Sequence, residues 1–131
     1  MISLDTNVVV RLIVGDDPRQ ARAAETLVAE RQCRVAASVL MECEWVLRAC
    51  YGLSVQTIAH SLRSLLDLEN IEAADPLLVG RTLTAYEAGI DFADACHALQ
   101  CAANEEFATF DKALARRAGK AGMPGVLLLK A

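Results

Sequence analysis

The chain has 131 residues, 54% of them hydrophobic, which is the size of one domain with enough apolar side chain for a substantial core, so a single domain over residues 1–131 is expected. Its net charge of −4 argues against a strongly basic nucleic-acid binder held by bulk attraction to phosphate, and any polyanion must therefore meet local cations. The longest stretch free of Asp, Glu, Lys and Arg, Ala49 to Leu62, is shorter than the roughly 18 apolar residues of a membrane span, and Met1-Ile2-Ser3-Leu4-Asp5 lacks the basic-then-apolar pattern of a secretory signal. A cytoplasmic protein without membrane contact is expected.

In chain order, Ile2 to Leu4 reads as a short strand delivering Asp5 into the turn Asp5-Thr6-Asn7, and Val8 to Val14 as an apolar helix ended by Gly15. Pro18 to Gln32 carries Ala21, Ala24, Leu27 and Val28 at helical spacing, with Pro18 in the first turn. Arg34 to Ala37 is a second strand, and Ser38 is the expected N-cap of a helix running to about Cys50, with Gly52 as its stop. Ser54 opens a helix to about Asp67, and Ile71 to Ala73 is a third strand. Asp75-Pro76 opens a helix ending near Gly89, and Asp91 caps another from Phe92 to Ala103. Phe107 to Phe110 is a fourth strand, and Asp111 caps a helix to about Ala118. Val126 to Leu129, apolar throughout, reads as a fifth strand covered on both faces. Strands alternating with helices imply an α/β fold with a parallel sheet, whose ligands bind beyond the carboxyl ends of the strands. Asp5 and Asp111 both follow strands and are expected to share one edge.

Carboxylates at apolar boundaries must be hydrogen-bonded, paired or bound to a cation. Asp5 and Asp111 each have two readings, a turn or N-cap role and a ligand role. Glu42 is placed on an apolar helix face with Val39 and Val46, whereas Glu44, about 200° away, reads as a surface ion pair with Arg48 at i,i+4. Asp91 reads as a cap, and Asp94, three residues later, as the better ligand candidate. Trp45, Val46, Leu47 and Tyr51 read as core or, in part, as a surface for a second copy or a partner segment, and the sequence does not separate these roles. The five cysteines, an odd set without a Cys-x-x-Cys pair, read as reduced, buried thiols, and the two histidines show no zinc spacing. His97 reads as a packed or surface helix residue. Lys112, Arg116, Arg117 and Lys120 cluster after Asp111 and read either as a solvated helix face or as contacts to RNA phosphates.

Together Leu4-Asp5-Thr6-Asn7, Ser38-Val39-Leu40-Met41-Glu42, Asp91-Phe92-Ala93-Asp94-Ala95 and Thr109-Phe110-Asp111 resemble the PIN-domain nucleases, and within them the VapC toxins of bacterial toxin–antitoxin pairs. The resemblance implies a PIN-like three-layer α/β/α fold with a mostly parallel sheet of about five strands. It implies Asp5, Glu42, Asp94 and Asp111 as a catalytic, metal-binding quartet that takes Mg²⁺ or Mn²⁺ and hydrolyses RNA, leaving a 5′-phosphate and a 3′-hydroxyl. Asn7 and Thr109, together with Thr6, match polar positions that support the acids, and Asp91 matches an additional acid. An endoribonuclease, a homodimer and a small VapB-like antitoxin are further implications. One departure is Asn104-Glu105, where many relatives have Gly; Asn tolerates the left-handed conformation a helix end needs, so the departure bears on local geometry alone. The rivals are a metal-dependent phosphohydrolase acting on another phosphate ester, for which no Asp-x-Asp-x-Thr motif is present, and a non-catalytic PIN-like module that binds RNA or protein.

Overall fold

The computed structural model describes residues 1–123 and 125–131. Among them the order is β1 (Ile2–Ser3), α1 (Thr6–Ile13), α2 (Pro18–Glu30), β2 (Cys33–Val35), α3 (Ala37–Ala49), α4 (Val55–Leu66), β3 (Ile71–Ala73), α5 (Pro76–Glu87), α6 (Phe92–Leu99), β4 (Phe107–Thr109), α7 (Lys112–Lys120) and β5 (Val126–Leu128). The fold is the expected α/β type, and every strand pairing is parallel. The chain divides into two compact units, Met1–Pro76 and Leu77–Ala131.

In the first unit the ladder runs β1-β2-β3, with Ile2 opposite Cys33 and Cys33 opposite Ile71. Parallel neighbours need crossover connections, and α1 and α2 supply the first while α3 and α4 supply the second. α4 shows why such helices form. Ser54 caps it by accepting from the Thr57 N–H at 3.1 Å, and Ile58, Ala59, Leu62 and Leu65 recur at the three- and four-residue spacing of one buried face. Leu4, Val9, Val35, Leu40 and Leu47 are also buried.

A polar network closes one end of this unit. The Arg11 guanidinium donates to Gln20 Oε1, Asp16 Oδ1 and the Tyr51 hydroxyl, and that hydroxyl donates to Asp16 Oδ2 at 2.7 Å. The end of α1, the start of α2 and the turn after α3 are thereby tied through one guanidinium. Tyr51 is accordingly a half-buried network member rather than the core residue expected of it.

α3 departs most from expectation. It begins at Ala37 after Ala36, with no side-chain cap, so Ser38 is not its N-cap. Its buried stripe is Leu40, Cys43, Glu44 and Leu47 instead of Val39, Glu42 and Val46. Apolar residues surround this helix on most sides, so the sequence pattern does not set its phase. Glu44 is therefore buried at 3% exposure, although its expected ion pair with Arg48 is present at 2.8 Å. Trp45, expected in the core, is 55% exposed.

In the second unit β4 pairs with β5, Phe107 opposite Val126. Ala85, Ile90, Ala95 and Leu114 form one cluster of its core, with Leu99, Phe107 and Met123 packed against them, and Tyr86 meets Phe92 edge to face at 5.5 Å. α6 ends at Leu99, earlier than expected, because tight turns from Gln100 N to His97 O and from Cys101 N to Ala98 O unwind it. Asn104 is consequently not in the left-handed region. β5 is half exposed, with Leu127 at 42% exposure and Leu129 just beyond it at 39%, so it is not the doubly covered strand its composition suggests. Gly125, at φ +80°, sits where an added Cβ would lie 3.1 Å from the Glu105 carbonyl, and this close approach explains a glycine before β5.

The phase of α3 is testable by paired truncations. Leu47→Ala is expected to destabilise the protein by about 2–5 kcal/mol through a core cavity, whereas Trp45→Ala costs under about 1 kcal/mol, as read by urea unfolding followed by circular dichroism.

Candidate active site

Asp5 lies just past β1 and is the N-cap of α1, its Oδ1 accepting from the Thr6 N–H at 2.8 Å. Thr6, buried at 8% exposure, donates its hydroxyl to Glu42 Oε1. One threonine thus connects both carboxylates, through its backbone to Asp5 and through its side chain to Glu42 on α3. Cys43 feels both of these charges. Burial pushes its thiol up to about 12, and the charges of Glu42 and Asp5 add to the shift. Its Sγ donates to the Thr6 carbonyl at 3.9 Å. Glu42 is exposed, so it is accessible to a ligand while its orientation is set by Thr6.

The second unit holds a parallel arrangement. Asp91 is the N-cap of α6, accepting from the Asp94 N–H at 3.1 Å, which is the capping role expected of it. Asp94 projects from the first turn. Burial raises its carboxyl above the ordinary carboxylate range, the charges of Asp91 and Asp111 raise it further, and exposed His97 lowers it. Asp111 follows β4 and caps α7 through Oδ1 to the Leu114 N–H at 3.0 Å, and its own N–H donates to Thr109 Oγ1 at 3.0 Å. Thr109 therefore contacts the backbone of Asp111 and not its carboxylate. Asn7 is exposed and lines a hollow of about 290 Å³ with Arg11 and Gln20, and among the described residues it makes no hydrogen bond to Asp5 or Glu42.

The structure thus brings Asp5, Thr6 and Glu42 together in one unit, and Asp91, Asp94 and Asp111 in the other. Among the described residues no group of three or more His, Cys, Asp or Glu side chains is arranged to hold a metal ion. The donor chemistry nonetheless suits a hard cation, which takes oxygen ligands. Asp5, Glu42 and Asp111 each commit one oxygen to an internal hydrogen bond, and the other is uncommitted among the described residues. Asp94 is raised by burial and by the charges of Asp91 and Asp111, which His97 offsets only in part, and a bound cation would relieve that repulsion. A larger hollow of about 650 Å³, lined in part by Leu12, Val28, His60, Leu65 and Ile71, contains none of the four acids. The Cys43 thiol and the Thr6 hydroxyl's hold on Glu42 are the features that sequence reasoning did not give.

A family model described as the PIN domain matches residues 2–120. The chain belongs to the PIN-domain family. The match runs through both units and covers all four acids, and PIN domains are generally metal-dependent nucleases, usually with divalent ions. Neither a curated protein nor a solved structure matches the chain. No helix among the described residues is long and apolar enough to cross a membrane. The five thiols are free, and Cys33, Cys43 and Cys96 are buried as expected, but Cys50 is exposed and Cys101 half-buried.

Asp94 titration tests the crowding of the second PIN unit. Without divalent cation, its carboxyl carbon should titrate above an exposed aspartate in a nuclear magnetic resonance experiment. Asp111→Asn removes one repelling charge and should move the Asp94 midpoint down; an unmoved midpoint would place Asp111 out of electrostatic reach.

Proposed function

We propose that this PIN domain is a Mg²⁺- or Mn²⁺-dependent endoribonuclease of the VapC type, the toxin half of a toxin–antitoxin pair, acting as one domain over residues 1–131. In this reading Asp5, Glu42, Asp94 and Asp111 are the catalytic and metal-binding carboxylates, and Thr6 and Thr109 are positioning residues. The observation that carries it is that three of these carboxylates are each pinned by a hydrogen bond while keeping an oxygen free, and the fourth is raised by burial and by its acidic neighbours. Structural caps alone explain the bonds of Asp5 and Asp111, but not the Thr6 hydroxyl committed to an exposed Glu42.

When bound, a divalent cation offsets the carboxylate repulsion, polarises phosphate oxygen and activates water for attack on phosphorus. Thr6 holds the Glu42 oxygen it binds and leaves the other uncommitted among the described residues, which limits the rotamer freedom lost on ligation. The Asp111 cap likewise ties its carboxylate to α7, a rigid element. Hydrolysis by water fits a chain with only two histidines, both exposed. The homodimer and a VapB-like antitoxin belong to the same reading and rest on the resemblance to the toxins. Purification of the product of the native operon without any small partner would remove the antitoxin from it.

The deciding experiment incubates purified protein with a total RNA pool and Mg²⁺ or Mn²⁺, beside a chelator control and Asp5→Asn. Discrete fragments with 5′-phosphates that vanish with chelator and in the variant are the expected outcome. Thr6→Val should lower cleavage by about 10- to 100-fold, and Thr6→Ser, which keeps the hydroxyl, should restore it. Equal inertness of wild type and variants with cation present and any antitoxin removed transfers the assignment to a binding module.

A further inference from the structure

Two features of the β4–α7 segment lie outside the acidic set. Phe110 is 66% exposed just past β4, although a phenyl ring is ordinarily a core-forming group. Lys112, Arg116 and Lys120 then follow at intervals of four on α7, so they line one face over about 12 Å. All three are exposed, and none joins a salt bridge among the described residues.

Helix electrostatics accounts for only part of this row. Lys120 lies in the last turn, where cations meet the negative end of the dipole. Lys112 occupies the first helical position, at the positive end, where a cation is unfavourable. The apolar side of α7 is already used, since Leu114 and Ala118 are buried. Arg117 is different in kind, because its Nη1 donates to the Gly89 carbonyl at 3.3 Å and ties α7 to the turn between α5 and α6. Arg117 thus has a partner within the fold, and Lys112, Arg116 and Lys120 make up the row without it.

We propose that Phe110, Lys112, Arg116 and Lys120 form a binding strip for a single-stranded polynucleotide, the ring stacking on a base and the cations holding successive phosphates. An exposed aromatic beside a cationic row is the pairing that single strands require, because their bases are free to stack and their phosphates are sequence-independent anions. A duplex hides its base faces and offers Phe110 nothing. With a net charge of −4 the chain has no bulk attraction to a polyanion, so this local row carries the binding. The strip deepens the nuclease reading and rests on it in one respect: Asp111 lies between Phe110 and Lys112, so a strand held here runs past that carboxylate.

The test measures binding by fluorescence anisotropy, with labelled oligouridylate and labelled oligothymidylate, in chelator so that nothing is cut. Lys112→Gln/Arg116→Gln/Lys120→Gln should weaken binding and flatten the slope of log Kd against log salt by about 2, roughly 0.7 for each phosphate left without its cation. Phe110→Ala should weaken binding by about five- to 100-fold with the slope unchanged, because stacking releases no counterions. Arg117→Gln should leave the slope as in wild type, and circular dichroism checks that every variant is folded. Equal affinity for the two strands supports recognition of phosphate and base face, and tighter binding of the RNA supports the strip with an added 2′-hydroxyl contact. Absence of wild-type binding, an unchanged slope in the triple variant, or an inert Phe110→Ala overturns the proposal. Because the readout needs neither cation nor cleavage, binding without cutting removes the nuclease reading and leaves the strip, while cutting indifferent to these four residues does the reverse.

Discussion

Like charge gathered at strand–helix junctions is the constraint on which the rest depends. Asp5 and Asp111 occupy the same local position in two units, each following a strand and each capping the next helix. The cap is favourable by about 1 kcal/mol, and it restrains the carboxylate without using both oxygens. A single residue thereby helps start a helix and presents an anionic oxygen at the carboxyl end of a parallel strand, where α/β folds place their ligands. The cost appears at Asp94, whose carboxyl is raised by burial and by its neighbours Asp91 and Asp111.

The surrounding structure keeps these groups in register. Thr6 is buried enough to have few alternative rotamers, and its hydroxyl fixes Glu42 across a separation of 36 positions in the sequence. α3, which carries Glu42, is anchored by Leu40, Cys43 and Leu47, all fully buried. The Arg11 network then secures the far end of α1 and the turn that follows α3. Glu42 is thus an exposed residue between a buried stripe and a buried hydroxyl, a setting that allows a ligand to approach without letting the side chain wander.

Local signals were legible where one residue decides the outcome. Asp91, Asp111 and Ser54 were readable as caps because a short polar side chain before an apolar run has few other uses, and β3 was readable because turn residues bound it. The order of the acids was readable through the family pattern. Burial phase was not. α3 is apolar nearly all round, so Glu44 and Trp45 exchanged places relative to expectation, the acid going inside with Arg48 as its partner and the indole going out. The end of α6 was also hidden, since nothing in Gln100 to Asn104 forbids helix and it is the Glu105 side chain, accepting from the Ala102 N–H, that stabilises the turn instead. The bond from Thr6 to Glu42 joins residues distant in sequence, and no periodicity encodes it.

Trp45 is the chain's only tryptophan, and it stands on the outer side of α3. Its emission therefore reports the helix surface and not the core. The folded protein should fluoresce at long wavelength, be readily quenched by small solutes and change little on unfolding, while anything that covers that side of α3 shifts the emission to the blue. An indole on the outside of α3 is thus a built-in optical probe of what comes to rest beside it.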